Sequence, residues 1–238
     1  MFPYPSVFEI AADLRVHHEV VINQIGPLLT ESRVQKISKV VQGRCFDIAV
    51  VMEGIYDRGN LSAVMRTGEG LGFANFHVIE TQHRFKEANR VTQGADKWVE
   101  VTKYKSTTAA IAELRRQGKR IVVTALNERA KPLRDIDFSV PTALVLGNEK
   151  IGASEEIIAA ADDVVIIPMT GFVQSFNISV AGALCLYHIL QDRQKRRGHN
   201  NDLSEEQKRI LMAEYFMRTQ DSAHDVLRRM AGSSSSRA

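Results

Sequence analysis

Apolar residues recur along this chain with two different periods, and the switch between them lays out most of the expected architecture. In the first segment Val34, Ile37, Val40 and Val41 stand at helical spacing, with Thr30 placed to cap and Gly43 to stop the helix. Pro27 separates it from an earlier helix, so residues 7 to 43 read as a helical lead-in. From residue 46 onward Val/Ile-rich runs alternate with helical patterns. They are FDIAVVME, LSAVMRTGEGLG, ANFHVIE, KWVEVTKY, TTAAIAELRRQG, RIVVTAL, TALVLG, SEEIIAAA and VVIIPM, followed by a long helix from 178. Repeated strand and helix with continuous apolar strands predicts an α/β domain, a mostly parallel sheet with helices on both faces.

The string GHNND at 198 to 202 then reads as a linker, and Ser204 followed by Glu205 and Glu206 opens another helix. Ile210, Leu211, Tyr215 and Phe216, with Val226, Leu227 and Met230 further on, give this tail apolar faces but no core of its own. It must pack on the main body or on a partner chain. The expected division is an N-terminal helical extension at 1–45, the α/β domain at 46–197 and a C-terminal helical extension at 198–238.

Composition narrows the class. Hydrophobic residues at 44% and charged residues at 25% are those of a globular protein able to bury a sizeable core. The longest nearly uncharged apolar stretch, 178 to 190, is too short to span a bilayer. The opening MFPYPSVFEIAADL has neither the basic and apolar regions of a signal peptide nor the look of a transit peptide. A soluble, cytoplasmic protein away from membranes is expected. Cys45 and Cys185 have no Cys or His at ligand spacing, so they read as buried reduced thiols and no metal is expected. The net charge of +3 is carried by the segment from Gln191, where ten Lys/Arg face seven Asp/Glu. Its run Arg193, Lys195, Arg196 and Arg197 suits a nucleic-acid contact, and equally a helix C-terminus complementing its dipole.

Three strings carry the chemistry: GNLSAVMRTGEGLGF at 59 to 73, LVLGNEKIG at 144 to 152, and IPMTGFVQSFN at 167 to 177. The last ends an apolar strand at a proline and passes through a Gly-bearing turn into a helix, as ligand-facing loops at the carboxyl edge of a sheet do. GEGLG lacks the G-x-G-x-x-G spacing and GNEKIGAS lacks the G-x4-G-K-[ST] arrangement, which sets aside dehydrogenases and nucleotide hydrolases. Asn60 and Arg66, six residues apart, cannot share a helical face, so Asn60 is expected at the helix start with Arg66 reaching back from the second turn.

In this order and spacing the three strings resemble the signature motifs of the SpoU/TrmH class of SPOUT RNA 2′-O-ribose methyltransferases, over roughly residues 50 to 190. The resemblance implies S-adenosylmethionine as cofactor, lying against Thr124, Gly147, Ile167, Met169 and Phe176, and a C-terminal trefoil knot that forms the pocket. It implies a catalytic set of Asn60, Arg66, Glu149, Ser175 and Asn177, with Arg66 acting on the ribose hydroxyl. A guanidinium serves more naturally to grip phosphate and steady a developing alkoxide than to remove a proton. Glycine at 147 would let a ligand approach the backbone. Phe176 stands where many relatives carry leucine, and Asp57-Arg58 precedes Gly59 where Asn-Pro or Asp-Pro is common, yet every polar position is filled. ANRVTQGADKWVEVTKYKS at 88 to 106 is most similar to the subgroup that methylates a guanosine ribose in the tRNA D loop. Ribosomal RNA is the alternative substrate, and a catalytically silent RNA-binding or assembly factor the alternative of another class. RNA contacts are expected at Arg33, Lys36, Lys39, Arg90, Arg193, Lys195, Arg196 and Arg197. A homodimer is expected too, with Tyr215 and Phe216 offering apolar surface.

Overall fold

The computed structural model describes residues 2–80 and 94–235, with backbone alone for 232–235. The elements in chain order are β1 (Val7–Ala11), β2 (Leu14–His17), α1 (His18–Ile25), α2 (Glu31–Gln42), β3 (Cys45–Glu53), α3 (Arg58–Gly70), β4 (Phe73–Ile79), β5 (Glu100–Tyr104), α4 (Thr107–Arg116), β6 (Arg120–Thr124), β7 (Lys131–Pro132), β8 (Thr142–Leu146), α5 (Glu155–Ala159), β9 (Asp163–Ile166), α6 (Ile178–Arg197), α7 (Glu205–Thr219) and α8 (Ala223–Ser235). They form two compact units, one of Cys45–Asn200 and one in which Phe2–Arg44 joins the chain from Asn201 onward.

The first unit is a seven-stranded sheet in the order β5-β4-β3-β8-β6-β9-β7, every neighbouring pair parallel. Its inner strand β3 is unbroken apolar from Ile48 to Met52 because both of its faces are covered. Ile48, Val50 and Met52 face Leu61, Val64 and Met65 of α3 and Cys185, Leu186 and Ile189 of α6. Ala49 and Val51 face Ala110 and Leu114 of α4 and Ile157 of α5. Helices therefore lie on both faces of a parallel sheet, as the alternating pattern requires. Helix α6 approaches α3 closely: a Cβ on Gly182 would lie 3.0 Å from Val64 Cγ2 and 3.1 Å from Leu146 Cδ1. Parallel pairing brings the ends of β3, β6, β8 and β9 to one edge, where the loops carrying all three strings emerge.

The second unit corrects the helical reading of residues 7 to 17. They form an antiparallel hairpin, β1 with β2. Phe8 and Ile10 alternate inward with outward Val7 and Glu9, the period of a half-buried strand. From residue 18 the helices follow as expected, α2 capped by Thr30 through Arg33 N–H. Helix α7 packs on α1 and α2. Tyr215 and Phe216 are 1% and 2% exposed, and Tyr215 accepts a hydrogen bond from Arg44 Nε at 3.1 Å. The apolar surface assigned to a partner at these two residues is covered by the N-terminal segment of the same chain. No described helix is long and apolar enough to cross a membrane.

Candidate active site

The three strings, far apart in sequence, meet in one chain of hydrogen bonds. Asn177 caps α6 with its Oδ1, accepting from Ser179 N–H at 2.8 Å and Ser179 Oγ at 2.5 Å. Its Nδ2 donates to Asn60 Oδ1 at 3.2 Å. Asn60 Nδ2 in turn donates to Glu149 Oε1 at 3.1 Å, while Glu149 Oε2 accepts from the backbone N–H of Tyr56 at 3.1 Å. Both ends of the Asn60 amide are thus committed, which fixes its orientation between the other two strings. Asn60 is the third residue of α3, and Asp57 caps that helix by accepting from Gly59 N–H at 2.7 Å. The expected position at the helix start holds.

Beside this chain lies a cleft of about 590 Å3, lined by Thr124, Gly147, Ile167, Met169 and Phe176, and also by Glu149, Ser175 and Asn177. That volume is ordinary for a small-molecule site. Thr124 Oγ1 is spent on Val145 O at 2.9 Å, so this residue ties β6 to β8 and offers the cleft mainly its methyl and backbone groups.

Gly147 owes its identity to a different neighbour from the expected ligand. A Cβ there would meet Ala153 N at 2.2 Å and Gly152 C at 2.5 Å. The chain's own returning turn fills the space. Asn148 and Gly152 close that turn with paired backbone bonds of 2.9 Å each. Asn148 Oδ1 accepts from Lys150 N–H at 2.8 Å and its Nδ2 donates to Gly54 O at 2.5 Å. The far end is held by Glu53, a buried carboxylate that accepts from Thr107 Oγ1 and Ser154 Oγ at 2.7 Å each and from Ser154 N–H at 2.9 Å. Glu53 and Asn148 were not among the expected site residues. A carboxylate ending an apolar strand and an Asn opening a Gly-bearing turn were the available signals.

Arg66 stands apart from this assembly. It is exposed in the third turn of α3, lines no part of the cleft and bonds to none of the chain's members. Among the expected RNA contacts, Arg33, Lys36, Lys39, Lys195 and Arg196 are exposed and Arg197 is half-buried. Arg196 pairs with Asp192 at 2.7 Å and Arg197 with Asp47 at 3.5 Å. Arg193 is a correction: its side chain is fully buried and donates to Phe138 O at 3.0 Å and to Asn200 Oδ1 at 3.1 Å. A guanidinium so enclosed holds loops together and cannot reach a phosphate. Arg90 lies outside the described residues.

Two buried groups are strongly perturbed, His77 in β4 and Cys185, whose residue lines the inner wall of the cleft. Burial, and then the Lys119 ammonium, push the His77 imidazole down to about 4, and its Nδ1 lies 2.9 Å from the Tyr104 hydroxyl. Burial pushes the Cys185 thiol up to about 12, leaving it an inert core group.

Comparison with known proteins agrees with this geometry. Residues 47–187 match the model of the SpoU rRNA Methylase family. The chain is 37% identical over 199 residues to a tRNA (guanosine(18)-2'-O)-methyltransferase of Borreliella burgdorferi, covering 82% of this chain and 91% of that one. Its fold is similar to the crystal structure of the A. aeolicus TrmH/SpoU tRNA modifying enzyme, with a TM-score of 0.72 and 30% identity over 79% of this chain and 97% of the other. An AdoMet-bound rRNA methyltransferase from Sinorhizobium meliloti is also similar, with a TM-score of 0.57 and 26% identity, covering 64% and 59%. The family model spans more than half of the chain, and the strings it covers are those that converge on the cleft: the chain belongs to the SpoU methylase family.

Proposed function

We propose that the protein transfers a methyl group from S-adenosylmethionine to a ribose 2′-hydroxyl of RNA, with a guanosine in the tRNA D loop as target, and that it acts in the cytoplasm. The observation that carries this reading is the hydrogen-bonded chain from Asn177 through Asn60 to Glu149 at the mouth of the cleft. The name of the B. burgdorferi relative supports guanosine as the target base. The residues present fit the cofactor. Ile167, Met169 and Phe176 give apolar walls for a flat base, and the Glu149 carboxylate lines the same cleft, where it complements a positive sulfonium. Ser175 lines the cleft as well and is exposed, suited to anchoring a polar tail.

When bound, S-adenosylmethionine supplies the electrophilic methyl group. The chain's own residues do the positioning, which provides much of the barrier reduction in an in-line displacement. The doubly held Asn60 and the capped Asn177 keep the rim of the cleft in one arrangement. Arg66, exposed on α3 outside the cofactor cleft, approaches the docked ribose from the RNA side and steadies the 2′-oxygen as its proton passes to solvent water, through the planar fork that lysine lacks. Exposed Lys195 and Arg196, with Arg33, Lys36 and Lys39, grip phosphate without reading sequence. The chain from 167 to 197 passes through the knot of the SPOUT fold. This is supported by β8 lying between β3 and β6 while α6 returns from beyond β6 to pack on α3.

The protein works as a homodimer. Its interface is the face of α6 that bears Val180, Leu184 and Tyr187, 45%, 43% and 57% exposed at spacings of four and three residues. Light scattering at micromolar concentration tests this: a dimer is expected for the native chain and a monomer for Leu184→Arg, and a native monomer contradicts it. Calorimetry of the purified chain with S-adenosylmethionine tests the function. Binding without RNA is expected, and no heat at millimolar cofactor contradicts the cofactor assignment.

A further inference from the structure

The loop between β3 and α3 places a large aromatic ring in solvent directly beside the polar chain. Tyr56 is 61% exposed and belongs to neither hydrophobic cluster of its unit. Its backbone N–H is held by Glu149 Oε2, so the residue is fixed to the rim of the cleft by the same carboxylate that orients Asn60. Lys150 lies over the ring, its Nζ 5.3 Å from the centroid. Arg58, two residues on, and Arg66 on the same helix are both exposed. An exposed ring costs solvation and contributes little to the fold. Set beside the Lys150 cation at the rim of the cleft, it matches the way proteins hold RNA bases drawn out of their stack.

We infer that Tyr56, largely exposed and held at the rim beside Lys150, is a stacking platform for a nucleobase of the RNA substrate. Lys150 reaches the adjoining phosphate. The inference rests on the reading of the protein as an RNA ribose methyltransferase and adds a residue that positions the nucleotide. Where the target nucleotide leaves the surrounding stack to bring its 2′-oxygen to the polar chain, an aromatic face replaces the lost neighbour. Because the Tyr56 N–H is bound to Glu149, the platform and the catalytic rim move as one piece.

The test is affinity of an unmodified tRNA transcript, by fluorescence anisotropy, for the full chain and its variants, with cofactor affinity and thermal midpoint measured alongside. Tyr56→Ala is expected to weaken RNA binding by at least about fivefold, while Tyr56→Phe and Tyr56→Trp stay within about twofold. Cofactor affinity and midpoint should be unchanged. In turnover, KM for RNA should rise more than kcat falls. Lys150→Ala should flatten the salt dependence by about one unit of slope or less. If the native chain binds RNA and Tyr56→Ala binds it equally, the platform is refuted while the methyltransferase reading stands. If Tyr56→Phe fails as Ala does, the hydroxyl and not the ring is at work and the platform is again refuted. If the native chain binds no RNA, both readings fall.

Discussion

Substituting Gly147 by alanine tests how the cleft is built. The added Cβ would lie 2.2 Å from Ala153 N, 2.5 Å from Gly152 C and 2.6 Å from Ala153 Cα, all backbone atoms with no rotamer to escape into. Reaching ordinary van der Waals contact requires the turn to retreat by about 1 Å. That turn is fastened by the paired Asn148 and Gly152 bonds and by Ser154 N–H on Glu53. Overpacking of this kind costs about 1–3 kcal/mol, and one strained hydrogen bond adds about 1 kcal/mol. The sum, about 3 kcal/mol, lowers the thermal midpoint by roughly 10 °C in a chain of this size. The turn also lines the cleft, so S-adenosylmethionine affinity should fall at least about tenfold. Gly171→Ala is the internal control: its Cβ would meet nothing within 4 Å, and both quantities should stay at native values. Thermal unfolding and calorimetry read the two effects. A Gly147→Ala chain indistinguishable from Gly171→Ala in both would refute the reasoning.

Asn60→Ala should leave the thermal midpoint nearly unchanged and lower kcat about a hundredfold, the scale of misplacement at a reacting centre. Asn60→Asp should not rescue turnover, since its carboxylate would face that of Glu149; steady-state kinetics decide it. Arg193→Ala should cost about 3 kcal/mol in denaturant unfolding by stranding buried carbonyls, whereas Lys195→Ala should leave stability alone and weaken RNA binding with a flatter salt dependence. For His77 the folded value near 4 lies below the ordinary 6.5, so the unfolded chain takes up the proton first as pH falls. Stability is therefore undiminished above about 6.5 and declines between 6.5 and 4, by about 3 kcal/mol at most. Denaturant midpoints of His77→Gln should fall less over that window than those of the native chain.

The sheet was legible because β3, β6 and β8 are buried on both faces and so carry the apolar runs Ile48–Met52, Ile121–Val123 and Ala143–Leu146, while β4 is apolar but for Asn75 and His77. The hairpin at 7–17 was not, since five residues of alternation in Val7–Ala11 sit beside a longer helical pattern. All five cofactor positions and four of the five catalytic ones lie at the cleft or in the hydrogen-bonded chain, because the strings carry residues whose place follows from strand ends and helix starts. The reason for Gly147 was hidden: the atoms that forbid a side chain belong to a turn whose return path is three-dimensional. Arg193 could have been placed correctly. Cys185, Ile189 and Arg193 follow at intervals of four, so the buried stripe of α6 runs straight into it, and a tally of charge conceals that direction. Tyr215 and Phe216 showed that they needed covering but not what covers them.

The most direct measurement is the position of the transferred methyl group. Purified chain, S-adenosylmethionine with a labelled methyl and an unmodified tRNA transcript are incubated together, and the product is digested and mapped for ribose methylation. The account predicts one label per transcript, on the 2′-oxygen of a D-loop guanosine, with one S-adenosylhomocysteine released for each. Label on a base, or no label in tRNA while cofactor binding is intact, would contradict it.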